Sequence, residues 1–398
     1  MGKAVKVVAI LLLISFFIGS SLLHLRKSSD GNSDSFTDGI NITIVWKGQG
    51  RLVGADADRF ALLSDPGRLE LVEIGIWETL YSVENVEAAE TFSNLLAFRK
   101  EEVLYYTELS TLAPQSLEAP FKNASLALKL GNLTFFITKK DPTISQGVRA
   151  PGNVTIHVCG DSRTSFSFED GEAKPVIVHT EHGFAVGTEG MEPFYPGKIV
   201  FLDPKGNILE NYTFEEGIKS ISTTEGIVLV ATGGAERSGT TIWTGRVYAF
   251  QASGIPLWNV SLEQYSQCGY APAGAFKLSD GKVYTVDYRG IIHIFSDDGR
   301  HLKSIETPAS EVLKCGGLMR EIVADGSGSL LAWAYVEINH DMNESNGLCV
   351  YSVEKREVAC IPLSLRPTAV KVSGNYVLLS LSTAYGKEEV KAFRVESG

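Results

Sequence analysis

The stretch GRVYAFQASGIPLWNVSL, residues Gly245–Leu262, alternates apolar side chains, turns at Ala252-Ser253-Gly254, alternates again and ends in Asn-x-Ser. Alternation on both sides of a Gly-containing turn is the pattern of a β-hairpin. Relatives of the stretch recur as GKIVFLDPKGNILENYTF from Gly197, GIIHIFSDDGRHLKSIET from Gly290 and GLCVYSVEKREVACIPLS from Gly347. With Gly245, their leading glycines are spaced 48, 45 and 57 residues apart. An earlier copy, GNVTIHVCGDSRTSFSFE, starts 45 residues before Gly197, and a truncated copy, EEVKAFRVES, ends the chain.

A second element precedes each copy. EHGFAVGTE, TEGIVLVATGG, SDGKVYTVDY, GSGSLLAWAYV and SGNYVLLSLS each place a Gly-containing turn before a β-type run. Each unit therefore holds two short strands, a variable loop and then the hairpin. Four antiparallel strands in roughly 45 residues make the blade of a β-propeller, which must stack on neighbours to bury both faces. The earlier segment RLVGADADRFALLSDPGRLELVEIGIWETLYSVE can hold four more strands, and LLAFRKEEVLYYTELS begins another unit. Hairpins near 67, 101, 152, 197, 245, 290, 347 and 388 count to eight blades. The first two are the weakest, so seven is the alternative. The fold class is all-β, a propeller over residues 40–398, with the lone strand Asn41–Trp46 expected to pair with the incomplete last blade and close the ring. From Ile40 on no amphipathic helix of four turns is evident, although one segment, Val86–Ala97, carries helix formers at a spacing that could hold a short helix.

Within the opening stretch, Tyr248-Ala249-Phe250-Gln251-Ala252-Ser253-Gly254-Ile255-Pro256-Leu257-Trp258 resembles the tryptophan-docking repeat of pyrroloquinoline-quinone-like propellers. The resemblance implies that the small residues make the turn and that Trp258 packs between adjacent blades. Gln251 stands where that repeat has Asp, Ser253 where it has Thr, and only this copy has the Trp; Glu210 holds the matching place near Gly197. The quinoprotein enzymes of this resemblance use vicinal cysteines and a calcium site, and this chain has no adjacent cysteines.

The N-terminus places the body. After MGKAVK, Val7–Leu25 reads VVAILLLISFFIGSSLLHL and is followed by Arg26-Lys27. A helix over that run is about 28 Å long, enough to span a hydrocarbon core. It reads as an uncleaved signal-anchor with residues 1–6 cytoplasmic. A removed signal peptide is the alternative, Ile18-Gly19-Ser20 being a poor small-residue cut site. Residues 28–39, SSDGNSDSFTDG, read as a flexible tether. Asn-x-Ser/Thr occurs at Asn41, Asn123, Asn132, Asn153, Asn211, Asn259 and Asn343. Chance predicts about two such sites in a chain of this Asn, Ser and Thr content. The excess points to a glycosylated, extracytoplasmic body on a single-pass cell-membrane anchor.

Five cysteines fit an oxidising compartment. Cys349 and Cys360 face each other across a hairpin centred between Glu354 and Lys355, so a disulfide is expected there. Cys268 and Cys315 lie one repeat apart, at equivalent places in neighbouring blades, and are expected to staple them. Cys159 is left over, and no pair has the spacing of a zinc site.

The net charge of −11 argues against a nucleic-acid surface. Ser296-Asp297-Asp298-Gly299 and Ser64-Asp65-Pro66-Gly67 read as turns. His179 and His182 in HTEH sit on a strand-turn, where their side chains diverge, and no phosphate loop or hydrolase motif appears. These residues specify no cofactor, metal or catalytic group. The expected function is a protein-binding or scaffold module at the cell surface, its partner a protein or glycan met by mouth loops such as Ala231–Thr244 and Glu337–Gly347. The alternative is an enzyme lodged in the funnel, a quinone-dependent dehydrogenase or a glycan hydrolase.

Overall fold

A computed structural model describes residues 39–397, apart from 119, 122, 142, 146–147, 151, 170–172, 190–194, 238–239, 266–270, 314–318, 340 and 384–385. The expected anchor over 7–25, and Cys268 and Cys315, lie outside the described residues. Among those described, no helix is long and apolar enough to cross a membrane.

Residues 40–397 form eight four-stranded antiparallel sheets. Blade 1 spans Arg51–Ala55 to Thr79–Val83, blade 2 Val86–Phe92 to Gln115–Leu117, and blade 3 Leu126–Leu130 to Arg163–Phe168. Blades 4, 5, 6 and 7 begin at Lys174–Thr180, Gly217–Thr224, Pro272–Lys277 and Met319–Ser327. Blade 8 takes its first three strands from Arg366–Ser373, Tyr376–Ser382 and Glu388–Ser397. Its outer strand is β1, Ile40–Gln49, paired antiparallel with Glu388–Ser397 from Ile40↔Ser397 to Gln49↔Glu389. The fold is an all-β, eight-bladed propeller, and the strand nearest the N-terminus completes the last blade.

Two of the repeated leading glycines share a steric cause. A Cβ on Gly245 would run into the Thr232 carbonyl oxygen and the Pro272 ring at the start of blade 6. One on Gly197 would come within 2.6 Å of Ile218 in blade 5. At these two positions the third strand passes too close to the next blade for any side chain, whereas a Cβ on Gly347 would meet Tyr335 of its own blade.

In place of a short helix over Val86–Ala97 there are two strands, Val86–Phe92 and Leu95–Lys100, joined at Ser93-Asn94. The spacing that suggested it is real, because Val86, Ala89 and Phe92 are buried. A β-bulge between Val86 and Ala88 shifts the register and puts Val86 and Ala89 in one seam, while Phe92 is buried on the opposite face in the next seam.

Every seam between neighbouring blades holds an apolar core. Val53, Leu69, Leu96 and Phe98 join blades 1 and 2, Leu128, Phe135, Ile177 and Phe184 join 3 and 4, and Ile199, Phe201, Ile218 and Phe250 join 4 and 5. At the closing seam, Leu52, Phe60 and Leu62 of blade 1 meet Leu378 and Val390 of blade 8. Trp46 of β1 sits over that seam, edge-on to Phe60 at 5.2 Å and stacked on Trp77 at 6.2 Å; Trp77 in turn meets Tyr376 edge-on at 5.3 Å. Trp77 accepts a left-handed backbone, φ 65°, to make these contacts. Cys349 and Cys360 are cross-strand partners in blade 7 and form a disulfide. Closing an 11-residue separation stabilises by roughly 2–3 kcal/mol on the loop-entropy estimate. Cys159 is a half-buried free thiol.

If Trp46 clasps the ring, Trp46→Ala is expected to lower unfolding stability by roughly 2–4 kcal/mol. Ile44→Ala on the same strand, 48% exposed, is expected to cost less than about 1 kcal/mol. Equal losses in urea denaturation would remove Trp46 from that role.

Candidate functional site: the channel mouth

Backbone hydrogen bonds sort the connections onto two faces. Val86 N donates to Gly67 O and Phe214 N to Gly197 O, which joins second-to-third strand turns to the links between blades. Ala252 N donates to Gly226 O and Val353 N to Ser329 O, which joins first-to-second to third-to-fourth strand turns. The second set is short throughout. Among the described residues the first set includes the two-stranded sheet Thr143–Ser145 with Val148–Ala150 in blade 3 and the one-turn helix α1, Pro308–Val312, after blade 6. One face is therefore trimmed, and the other is a loop face. Ala231–Thr244 and Glu337–Gly347 both reach the loop face, being second-to-third strand hairpins.

First strands of successive blades pack beside one another from blade 4 round through blade 8 to blade 3. Where the first strands of blades 1, 2, 3, 4 and 8 begin, a cavity of about 460 Å³ opens. Arg51, Lys139, Lys174 and Lys371 line it together with Glu87 and Glu90. Between the charges lie Leu52, Val53, Ala88, Ala89, Leu126 and Pro175. The acids are already engaged. Glu87 pairs with Arg99 at 2.8 Å, and Glu90 with Lys174 at 3.3 Å. Lys174 also faces Glu189 at 3.9 Å, and Lys371 faces Asp325 at 3.5 Å. Burial opposes the charge on Lys174, but Glu90 and Glu189, with Asp325 beyond, hold its ammonium above the ordinary lysine value. Asp325 also accepts Val372 N at 2.8 Å, tying blade 7 to blade 8. Arg51 differs: its guanidinium reaches the Ala89 carbonyl oxygen at 3.3 Å and makes no ion pair.

A second polar cluster sits in blade 6. Asp287 and His293 are fully buried, with Oδ2 and Nε2 3.1 Å apart. Asp287 Oδ1 accepts Arg289 N and Ile291 N, each at 2.9 Å, and so shapes the second-to-third strand turn. His293 Nδ1 lies 3.0 Å from Ser304 Oγ, which lies 2.9 Å from His301 Nε2. One proton arrangement satisfies the chain with both rings neutral: His301 donates to Ser304, Ser304 to His293, and His293 to Asp287. The residue types are those of an acyl-transfer triad, with the ring nitrogens exchanged, Asp287 being on Nε2 and Ser304 on Nδ1. Here, however, Ser304 is on an exposed outer strand and neither cavity described in this section reaches it. The cluster clamps three strands of the blade.

The residues singled out in the sequence fall elsewhere. Trp258 on the outer strand of blade 5 donates Nε1–H to Asp297 O at 2.8 Å and covers Gly299 of blade 6, so it docks one blade on the next. Gly299 has φ 81°, and a Cβ there would stand 2.6 Å from the indole. His179 lines a groove of about 360 Å³ between blades 4 and 5 on the trimmed face with Glu181 and Glu225, while His182 does not. Among the described residues no three His, Cys, Asp or Glu side chains gather to hold a metal. Asn41, Asn123, Asn132, Asn211, Asn259 and Asn343 are exposed, and Asn153 is half-buried. Of the seven, only Asn259 makes a side-chain hydrogen bond, its Oδ1 accepting Arg246 at 2.9 Å.

The channel residues escaped the sequence reading. Their one signal is a charged side chain near the start of an otherwise apolar first strand, as at Arg51, Glu87 and Lys174.

No family model matches the chain, and no curated protein matches it by sequence. Solved structures do. BamB from Moraxella catarrhalis is 13% identical with a TM-score of 0.50, the match covering 89% of this chain and 98% of that one. The likeness is that of an eight-bladed β-propeller. Weaker likenesses are BBS1N, solved in complex with ARL6DN (14% identity, TM-score 0.40, covering 89% and 97%), and the Cps50 (Swd1) propeller domain from Myceliophteria thermophila (9%, 0.47, 89% and 100%). At such identities the likeness is one of fold.

Two histidines make the fold pH-sensitive. Burial lowers the His157 imidazole below the ordinary histidine value; at His301, burial and then the nearby His293 do the same. The folded state thus favours their neutral forms. Their contribution is complete above the unfolded value near pH 6.5 and is lost as pH falls below it. The urea midpoint is expected to drop between pH 7.5 and pH 5. A His157→Gln/His301→Gln variant should show a flatter profile, and an unchanged slope would assign the effect to other groups.

Proposed function

We propose that the chain is a membrane-anchored, extracytoplasmic propeller that serves as a protein-binding scaffold through its loop face. The observation that carries the reading is the asymmetry of the two faces. Every long connection and the charged channel mouth lie on one side of a rigid ring, and scaffolds carry recognition on such loops.

The sequence supports the location. Val7–Leu25 is long and apolar enough for an anchor. Sequon asparagines that are exposed and mostly unbonded are suitable glycan acceptors. No sequon lies between Asn41 and Asn123, so the strands of blades 1 and 2 themselves carry no glycan acceptor. The partner is a protein, and no nucleic acid is involved.

The test is site-specific photocrosslinking of the full chain in its own membrane, from Asp341 on the loop face and from Glu181 on the trimmed face. Crosslinked protein is expected from position 341 alone; equal yields from both would refute the loop-face scaffold. In the same preparation, Asn211→Gln is expected to remove one glycan-sized mass step, and protease added to intact cells to digest the body. A protected, unshifted body would overturn the extracytoplasmic placement.

A further inference from the structure

The charges at the channel mouth are not balanced evenly. Of the lining acids, Glu87 is taken by Arg99 and Glu90 by Lys174. Arg51 spends one Nη2 donor on the Ala89 carbonyl oxygen at 3.3 Å and faces no carboxylate. It is half-buried at the first position of blade 1, at the edge of a cavity of about 460 Å³. That volume is in the range of pockets that hold ligands. Lys371, whose own acid Asp325 is at the long distance of 3.5 Å, stands in the same wall.

The setting strengthens the argument. The whole chain carries −11 charges, yet this lining holds four cations and two acids. Glu189 and Asp325 answer Lys174 and Lys371 from outside it, and Arg51 faces no carboxylate. Low-dielectric walls focus such a local excess toward an incoming anion. A guanidinium presents a planar fork of donors that matches a carboxylate in a bidentate pair. Between the cations, Leu52, Val53, Leu126 and Pro175 offer apolar wall that a small hydrated anion would leave unused.

We infer that the channel mouth binds an acidic segment of a protein partner, with a carboxylate seated on Arg51, Lys371 beside it, and an apolar side chain on the wall between blades 1 and 3. The inference rests on the scaffold reading and names the chemistry of its partner. It predicts an ionic-strength-dependent contact, because Arg51 and Lys371 lie within reach of solvent.

The test is fluorescence polarisation of the full chain in detergent with a labelled peptide of alternating Glu and Leu. Controls are the same peptide with Gln for Glu, and free glutarate as competitor. The Glu peptide is expected to bind saturably and the Gln peptide at least about tenfold more weakly. Arg51→Ala is expected to weaken binding by about tenfold, and Arg51→Lys to restore only part of it. Lys47→Ala, exposed on β1 away from the cavity, should match the parent chain. A matching urea midpoint for Arg51→Ala excludes unfolding as the cause. Equal affinity for the Glu and Gln peptides, or no effect of Arg51→Ala, would overturn the inference. Binding of glutarate without the peptide would overturn it too. Loop-face crosslinking could survive that failure, so the two readings fall separately.

Discussion

A propeller blade has two apolar faces and cannot keep either one in water. The constraint is met only when every blade has a neighbour on both sides, which requires the ring to close. Here closure depends on the antiparallel ladder between β1 and Glu388–Ser397, because blade 8 has three strands of its own. The clasp also sets the seam against blade 1, where Trp46 covers Phe60 and meets Trp77. The positive φ at Trp77 is a local strain held in place by that packing.

Much of this architecture was legible because it repeats. The leading glycines at 197 and 245 mark where one blade brushes the next. Cys349 and Cys360 were legible because a hairpin with an even tip places its flanks opposite each other. Trp258 was legible from its turn, since Gly254 and the residues before it aim the following strand across the seam. Val86–Phe92 misled for a physical reason: one bulge and burial on both faces of the blade together give a strand the spacing of a helix.

The channel was illegible for the opposite reason. Arg51, Lys174 and Lys371 share a cavity but come from three blades far apart in the chain. Each is a single charged residue in a short strand, with no periodicity to mark it. The Asp287–His293–Ser304 clamp was equally hidden, since its members become neighbours only through the pairing of His293 with Ser304 across two strands. Pairwise spacing reveals what one element does alone. It does not reveal where the ring brings separate elements together.

The channel also shows how an acidic protein can present a cationic surface. Most surface acids are spread over turns, whereas the charges at the axis are concentrated by the convergence of five first strands. Two pairs bind blade to blade there: Lys174 to Glu90 and Lys371 to Asp325. Arg51 is outside those pairs, so the mouth keeps a donor group for something beyond the ring.

The clasp bears on the order of synthesis. β1 leaves the ribosome before any blade and its partner strand after all the other strands of the ring, so Ile40 finds Ser397 only once seven blades have emerged. Until then a strand with Ile40, Ile42 and Ile44 has an unpaired edge, the kind of surface that recruits the wrong neighbour. Closure is the most non-local contact in the fold and carries the largest loop entropy. The seven complete blades can stack in sequence as they emerge, and the ring then waits on its own first strand.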